Sequence, residues 1–458
     1  MSECLRSVGL DVGTTSTQMI LSELTVENKA SSFAVPEMEI AERKILYKSP
    51  VYFTPLLDES RMDGVGLRRI VEEEYRRAGI TRDSVDTGAI IITGETSRKE
   101  NAKAVLEALS HLAGEFVVAA AGPDLESVLA AKGAGAVDYS ERTGKTVLHM
   151  DIGGGTSNLA LIREGKIVRT GCLNVGGRLM KLNKNGTVTY VSPVLKEICG
   201  LKVGDPAAKE QVEAVVDILV QALEMASGHR EVGPLLGQLT TEESKEPWLP
   251  PEGETVISFS GGVADCIRQE FPWLEFGDMG PVLGKAIRKS RLCRGDYVLG
   301  SETIRATVIG AGCHSAQLSG STVFYQNIRF PLKNVPVVRL ETLSDIRRSL
   351  SAQEEPVVLA MEGLMSPSYR ETVAMAEEIL AQTQGPILLC LEQDMAKALG
   401  QALAVRLPRE AEILCIDRVK VSEGSYLDIG APVGHALPVV VKTLVLEKRM
   451  NADCKKVW

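Results

Sequence analysis

The chain has 458 residues, room for about three domains, and its 44% hydrophobic and 24% charged residues are the balance of a globular protein. Its 51 basic and 60 acidic residues leave a net charge of −9, which excludes the broad basic face that nucleic acid requires; aromatics at 4% leave little to stack on bases. No run of 18 apolar residues offers a membrane span, the start of the chain lacks a secretory pattern, and the five histidines do not cluster as a zinc site would. Nine single cysteines without a C-x-x-C pair indicate reduced thiols, so neither nucleic acid, membrane nor disulfide frame is expected.

Residues 7–11 read as a buried strand, and 15–24 as the strand returning from it. More strand is expected over 40–54, broken by Pro50 and Pro55. The charged, amphipathic stretch 67–78 predicts a helix that stops at Gly79. Gly88 to Thr93 is a short apolar run, the pattern of a central strand buried on both faces. A helix over 97–112, a strand over 116–121 and a small-residue helix over 125–136 follow. Residues 146–151 form a further strand, with a meander over 159–162 and 166–172. Asn174-Val175-Gly176-Gly177-Arg178 is expected to open a short helix.

The apolar spacing of Val212, Val215, Val216, Leu219, Val220 and Leu223 predicts a helix over 207–226. The stretch 231–254, rich in Gly, Pro and acids, reads as surface connection. A strand over 255–259 leads into Ser260-Gly261-Gly262-Val263-Ala264; helices are expected from Asp265 and over 280–288. Residues 303–326, rich in Thr, Val and Gly, read as strands. Beyond them strands 356–361, 386–391 and 413–421 alternate with helices 369–382 and 395–406, the pattern of an α/β unit with parallel strands.

Two loops carry the functional signal. Gly9-Leu10-Asp11-Val12-Gly13-Thr14-Thr15-Ser16-Thr17 and Met150-Asp151-Ile152-Gly153-Gly154-Gly155-Thr156-Ser157-Asn158 share one order: apolar strand, Asp, glycine, hydroxyls. Glycine lets the backbone bend and approach a ligand, and successive N–H groups in such a turn form a concave anion site. An Asp beside it suits hydrated Mg²⁺, which takes one or two carboxylates and keeps several waters. Either loop alone is an ordinary tight turn. The third element, Ser260-Gly261-Gly262-Val263 between strand and helix, offers bare backbone for a base and ribose. Phosphate loop, linking helix, phosphate loop and adenosine loop then follow in one order.

These elements resemble the actin, Hsp70 and sugar-kinase ATPase superfamily. More narrowly, nearly the whole chain resembles the ethanolamine ammonia-lyase reactivating factors, the ethanolamine-utilisation protein A family. The resemblance is carried by 8–17, 88–102 (with Ile-Thr-Gly-Glu at 92–95), 147–158, 172–179, 304–321 (opening Ile-Arg-Ala-Thr) and 424–446. It implies an α/β fold of duplicated actin-like (ribonuclease H-like) ATPase domains around a nucleotide cleft, plus a C-terminal α/β region. The implied division is 1–145 and 146–300 for the two subdomains, the second holding the adenosine motif, and 301–458 for a β-rich segment and α/β domain. Asp11 and Asp151 would hold the Mg²⁺ waters. Gly13, Thr14, Thr15 and Ser16 would wrap one side of the phosphates, and Gly153, Gly154, Gly155 and Thr156 the other. Gly261 and Gly262 would contact adenosine, and Glu95 would orient the attacking water, with a surface ion pair as its alternative.

The implied activity is slow ATP hydrolysis coupled to reactivation of ethanolamine ammonia-lyase, exchanging damaged cobalamin for intact adenosylcobalamin. The implied cofactors are ATP and Mg²⁺, and the implied location is the cytoplasm, with association to a bacterial microcompartment a further expectation. A small-molecule kinase and a nucleotide-binding scaffold are the alternatives on the same fold. Gly144-Lys145-Thr146 is read as a turn, since a phosphate-binding P-loop would need glycine where Tyr139 stands. Gly310-Ala311-Gly312 is read as a strand bend, and His314 as a core or turn histidine in preference to a ligand.

Overall fold

The computed structural model describes residues 3–13, 16–28, 38–58, 61–81, 84–93, 101–102, 105, 109, 117–120, 123–241, 248–300, 302–314, 316–319, 322–351, 356–419, 421, 425–432 and 436–443. Two of its sheets repeat one topology. In the first, Met38–Lys48, Ser16–Asn28 and Glu3–Val12 run antiparallel, and Thr87–Ile92 and Val117–Ala120 continue parallel to Glu3–Val12. In the second, Lys166–Leu173, Ser157–Arg163 and Val147–Ile152 are antiparallel, and Val256–Ser260 and Tyr297–Leu299 continue in parallel. In chain order within each unit the strands lie 3-2-1-4-5, so the fold is a duplicated actin-like (ribonuclease H-like) α/β architecture.

The duplication sets the site. Asp11 is the penultimate residue of Glu3–Val12, and Asp151 holds the same place in Val147–Ile152. These are central strands, buried on both faces over 7–12 and Val147–Ile152, where Val8, Leu10, Val147, Leu148 and Met150 supply the apolar positions. Leu148, Met150 and Ile152 pack with Val212, Val216, Leu219 and Leu223 of the helix Lys209–Ala226, the face that the apolar spacing predicted. Gly64–Ala78 covers the first sheet through Leu67 and Val71 and stops at Gly79 in the left-handed region, as expected.

A third sheet of eight strands forms the C-terminal region. Leu332–Arg339, Val358–Met361, Ile387–Leu391 and Ile413–Asp417 lie parallel in it, and helices Tyr369–Leu380 and Ala396–Ala404 pack on one side.

Four local readings are corrected. The segment 303–326 is not all strand: Ala306–His314 is a helix, followed by the short strands Ala316–Leu318 and Phe324–Gln326. Gly310-Ala311-Gly312 is therefore helical and not a strand bend. Composition misled because this helix is buried nearly all round, so it shows no polar stripe. Its glycines permit close contact with the helix Pro123–Gly133: a β-carbon on Gly133 would stand 2.7 Å from the Gly310 nitrogen. The predicted helix 125–136 is two, Pro123–Gly133 and Ala136–Thr143, divided at Gly135 with φ 77°. Residues 174–178 lead through a turn into the strand Met180–Leu182, not into a helix. The stretch 231–254 contains the helix Pro234–Leu239 and the buried Trp248, whose Nε1 donates to the Ala226 carbonyl at 2.8 Å. The helix expected over 97–112 lies mostly outside the described residues.

Candidate functional site

Both phosphate-loop candidates close with the same bond. Gly13 N donates to the Ser16 carbonyl at 2.9 Å, and Gly153 N donates to the Thr156 carbonyl at 2.9 Å. Each loop is then braced from outside. Thr54 Oγ1 donates to the Gly13 carbonyl at 2.7 Å. On the second loop, Gly177 N reaches the Gly153 carbonyl at 3.0 Å and Arg178 N reaches the Gly154 carbonyl at 2.6 Å. The turn at 174–178 thus serves as the cradle of the second loop. No atom would meet a β-carbon on Gly155 within 4 Å, so the loop's outer side is open for a ligand. Thr14, Thr15 and Glu95 lie outside the described residues.

The two loop carboxylates are brought together. Asp11 is 9% exposed and Asp151 6%, yet neither has a cationic partner among the described residues. Burial pushes Asp11 up to about 7, against a 3.0 Å bond from Thr93 Oγ1 and aided by the negative charge of Asp151. Burial likewise raises Asp151 to about 6, against a hydrogen bond donated by Ser260 Oγ. Two buried carboxylates, with Asp11 feeling the charge of Asp151, form a site lacking positive charge.

The amides opposite them fit that reading. Gln18 pairs in register with Asp11, and Asn158 with Asp151. Both are 2% exposed, and their side-chain oxygens, Gln18 Oε1 and Asn158 Oδ1, accept no hydrogen bond. Buried polar atoms are rarely left so. Two carboxylates and two orphaned acceptors suit a hydrated Mg²⁺, whose waters donate outward. Among the described residues no group of three His, Cys, Asp or Glu could ligate a metal directly.

The third loop meets the second at its base. Gly261 has φ 84° and its N–H donates to the Thr303 carbonyl at 3.0 Å. Gly262 starts the helix Gly262–Arg268, three residues earlier than expected, and a β-carbon there would meet Ile304 Cδ1 at an ordinary contact distance of 4.0 Å. Gly144 is a left-handed cap ending Ala136–Thr143, so Gly144-Lys145-Thr146 is a turn, in agreement with the sequence. His314 ends its helix half-buried beside the positive charges of Arg43 and Lys132, surroundings that repel a metal.

Sequence reasoning missed Gln18, Thr54, Thr93, Asn158 and Ser260. The available signal was register: Gln18 and Asn158 each stand seven residues after the loop Asp. Thr54 and Thr93 come from other elements, and nothing local ties them to the loops.

The family model for ethanolamine utilisation protein EutA matches residues 3–447. Two curated relatives carry the name ethanolamine ammonia-lyase reactivase EutA. That of Salmonella typhimurium is 38% identical over 473 residues, covering 96% of this chain and 98% of the relative. That of Escherichia coli is 37% identical over 465 residues, with the same shares. Among solved structures, the chain is similar to an Aquifex aeolicus member of the Ppx/GppA family at 14% identity, covering 67% of this chain and 97% of that one, with a TM-score of 0.43.

Proposed function

We propose the function from the premise that the chain belongs to the ethanolamine utilisation protein EutA family: it is an ATP-dependent reactivating factor for ethanolamine ammonia-lyase. The observation that carries the reading is near-full-length identity of 38% to a relative named as that reactivase. The paired loops supply a physical means. Asp11 and Asp151 hold a hydrated Mg²⁺, while Gly13, Thr14, Thr15 and Ser16 bind one side of the phosphates and Gly153, Gly154, Gly155 and Thr156 the other. Gly261 and Gly262 receive adenosine, and Glu95 orients the attacking water. Mg²⁺, when bound, neutralises the charge gathering on the transferred phosphoryl group.

The loops sit on separate sheets, so both grip the same phosphate chain only when the two units draw together. Swinging such an equilibrium from mostly open to mostly closed takes roughly 5.5 kcal/mol of differential binding, within reach of two loops and a cation. In this proposal the lyase is the partner, and its damaged cobalamin exchanges for intact adenosylcobalamin while this chain cycles. We place the activity in the cytoplasm, with the microcompartment as a further site of action; no helix of the described residues is long and apolar enough to cross a membrane. We retain the division 1–145, 146–300 and 301–458, with Ala306–His314 serving the first part although it follows the second in sequence. The kinase and scaffold alternatives draw no support from the relatives' names.

The test is a reactivation assay. Ethanolamine ammonia-lyase is inactivated by turnover or by hydroxocobalamin, and this protein is added with adenosylcobalamin, ATP and Mg²⁺, each omitted in turn. Recovery requiring all components is the expected result. Measurable ATP binding without recovery would move the function to the kinase or scaffold reading.

A further inference from the structure

Beside the loop carboxylate lies a line of buried polar groups that the proposed chemistry does not use. His149 and Asp151 face Ser258 and Ser260 across the parallel strands Val147–Ile152 and Val256–Ser260, in register Ser258↔His149 and Ser260↔Asp151. His149, Ser258 and Ser260 are at most 1% exposed. His149 Nδ1 lies 3.0 Å from Ser258 Oγ, His149 Nε2 lies 2.9 Å from Ser260 Oγ, and Ser260 Oγ donates to Asp151 Oδ1.

An ionised carboxylate can only accept, which fixes the direction of the line. Ser260 spends its proton on Asp151, so its oxygen accepts from His149 Nε2–H. The other ring nitrogen then accepts from the Ser258 hydroxyl. Every polar atom of the imidazole is used, in one tautomer. The ladder sits where apolar side chains would pack more simply: Val147 and Val256, two strand positions from His149 and Ser258, belong to a small apolar cluster. Ser260 is also covalently next to Gly261. A displacement of Gly261 as adenosine seats moves the Ser260 hydroxyl, and through it the Asp151 carboxylate.

We propose that Ser260 and His149 are positioning residues that couple adenosine seating on the Gly261 loop to the orientation of Asp151, and so to Mg²⁺ binding; this rests on the nucleotide reading above. The ring holds the serine hydroxyl, the hydroxyl holds the carboxylate, and the carboxylate receives the metal's waters.

The experiment measures two constants on the full chain by calorimetry: the Kd of ADP in EDTA, and the Kd of Mg²⁺ at saturating ADP. Ser260→Ala is expected to weaken Mg²⁺ by about tenfold or more while leaving ADP in EDTA within about twofold, since it removes one charge-assisted hydrogen bond and no adenosine contact. Ser260→Thr keeps the hydroxyl and restores Mg²⁺ binding. His149→Phe keeps a ring of similar size and gives an intermediate loss. A merely structural role would weaken both constants together. Equal weakening of both in Ser260→Ala, or an unchanged Mg²⁺ constant, overturns the coupling. Failure of the unsubstituted chain to bind ADP overturns the nucleotide reading itself, and is read from a different protein.

Discussion

Gly261 lies against Ile152, the last residue of the strand that carries Asp151, so closely that a β-carbon on Gly261 would stand 2.6 Å from the Ile152 carbonyl carbon. The atoms in the way are backbone and cannot swing aside. Gly261 also holds φ 84°, a conformation that side chains strain against. Gly261→Ala therefore forces the adenosine loop away from the second phosphate loop. The expected outcome is a loss of about 1–3 kcal/mol in denaturant unfolding together with lost ADP binding. Gly262, where a β-carbon would make only an ordinary contact with Ile304 Cδ1 at 4.0 Å, is expected to tolerate alanine in unfolding and to lose only nucleotide affinity.

The paired carboxylates predict opposite effects on binding and on the empty protein. Asp11→Ala or Asp151→Ala removes a proposed holder of metal waters, and ATP hydrolysis is expected to fall at least about 10²-fold, with reactivation lost. Asp11→Asn keeps an acceptor for Thr93 Oγ1 and relieves the burden of a buried carboxylate next to Asp151. Its ligand-free melting temperature is expected to rise while the stabilisation given by ADP and Mg²⁺ disappears. Calorimetric melting with and without ligand reads both. Wild-type hydrolysis in either alanine variant would remove these residues from the mechanism.

The loops were legible in the sequence because their information is local. A strand, an Asp and a glycine turn occupy consecutive residues, and the repeat of Asp11 to Ser16 at Asp151 to Thr156 survives as identical turn bonds. The bracing was not legible. Thr54 and Thr93 reach the first loop from other elements, and Ser260 reaches Asp151 across strands more than 100 residues apart in sequence. The helix Ala306–His314 was misread for a related reason. Thr307, Val308 and Ile309 favour strands in isolation, and only the seat against Gly133 and Gly9 makes the small residues of this helix an advantage.

That seat gives a stability prediction. Gly133 faces Ala306 and Gly310, and a β-carbon there would stand 2.8 Å from the Ala306 carbonyl carbon. Gly9, on the strand of Asp11, is pressed the same way against Gly312, and Ser7 Oγ donates to the Gly312 carbonyl at 2.5 Å. Gly133→Ala is expected to cost about 1–3 kcal/mol or more by pushing two helices apart. In exposed Gly79 the same substitution meets no atom, although its left-handed φ of 66° still brings a smaller penalty. Chemical unfolding of the two variants side by side checks the contrast. An equal cost at both positions would mean that the close approach of the two helices is not what excludes a side chain at Gly133.

His314 supplies the pH prediction. It ends Ala306–His314 half-buried, with Arg43 donating from Nε to the neighbouring Cys313 carbonyl at 3.0 Å and Lys132 on the helix alongside. Burial, then the charges of Arg43 and Lys132, press its pKa down to about 3. Burial also lowers the Lys132 ammonium, again with Arg43 adding to it. The folded chain thus keeps His314 neutral where the unfolded chain, with an ordinary pKa near 6.5, takes up a proton. Above about pH 7 both states are neutral there and His314 adds nothing to the pH dependence. As the pH falls through about 6.5 the unfolded state binds the extra proton and stability drops, continuing until about 3. His314→Gln removes that proton uptake. Its stability relative to the parent is expected to be constant above about pH 7 and to improve steadily from about 6.5 downward, measured by urea unfolding in a buffer series. A difference that stays flat across this range would show that His314 is free to protonate in the folded protein, and that Arg43 and Lys132 do not enclose it.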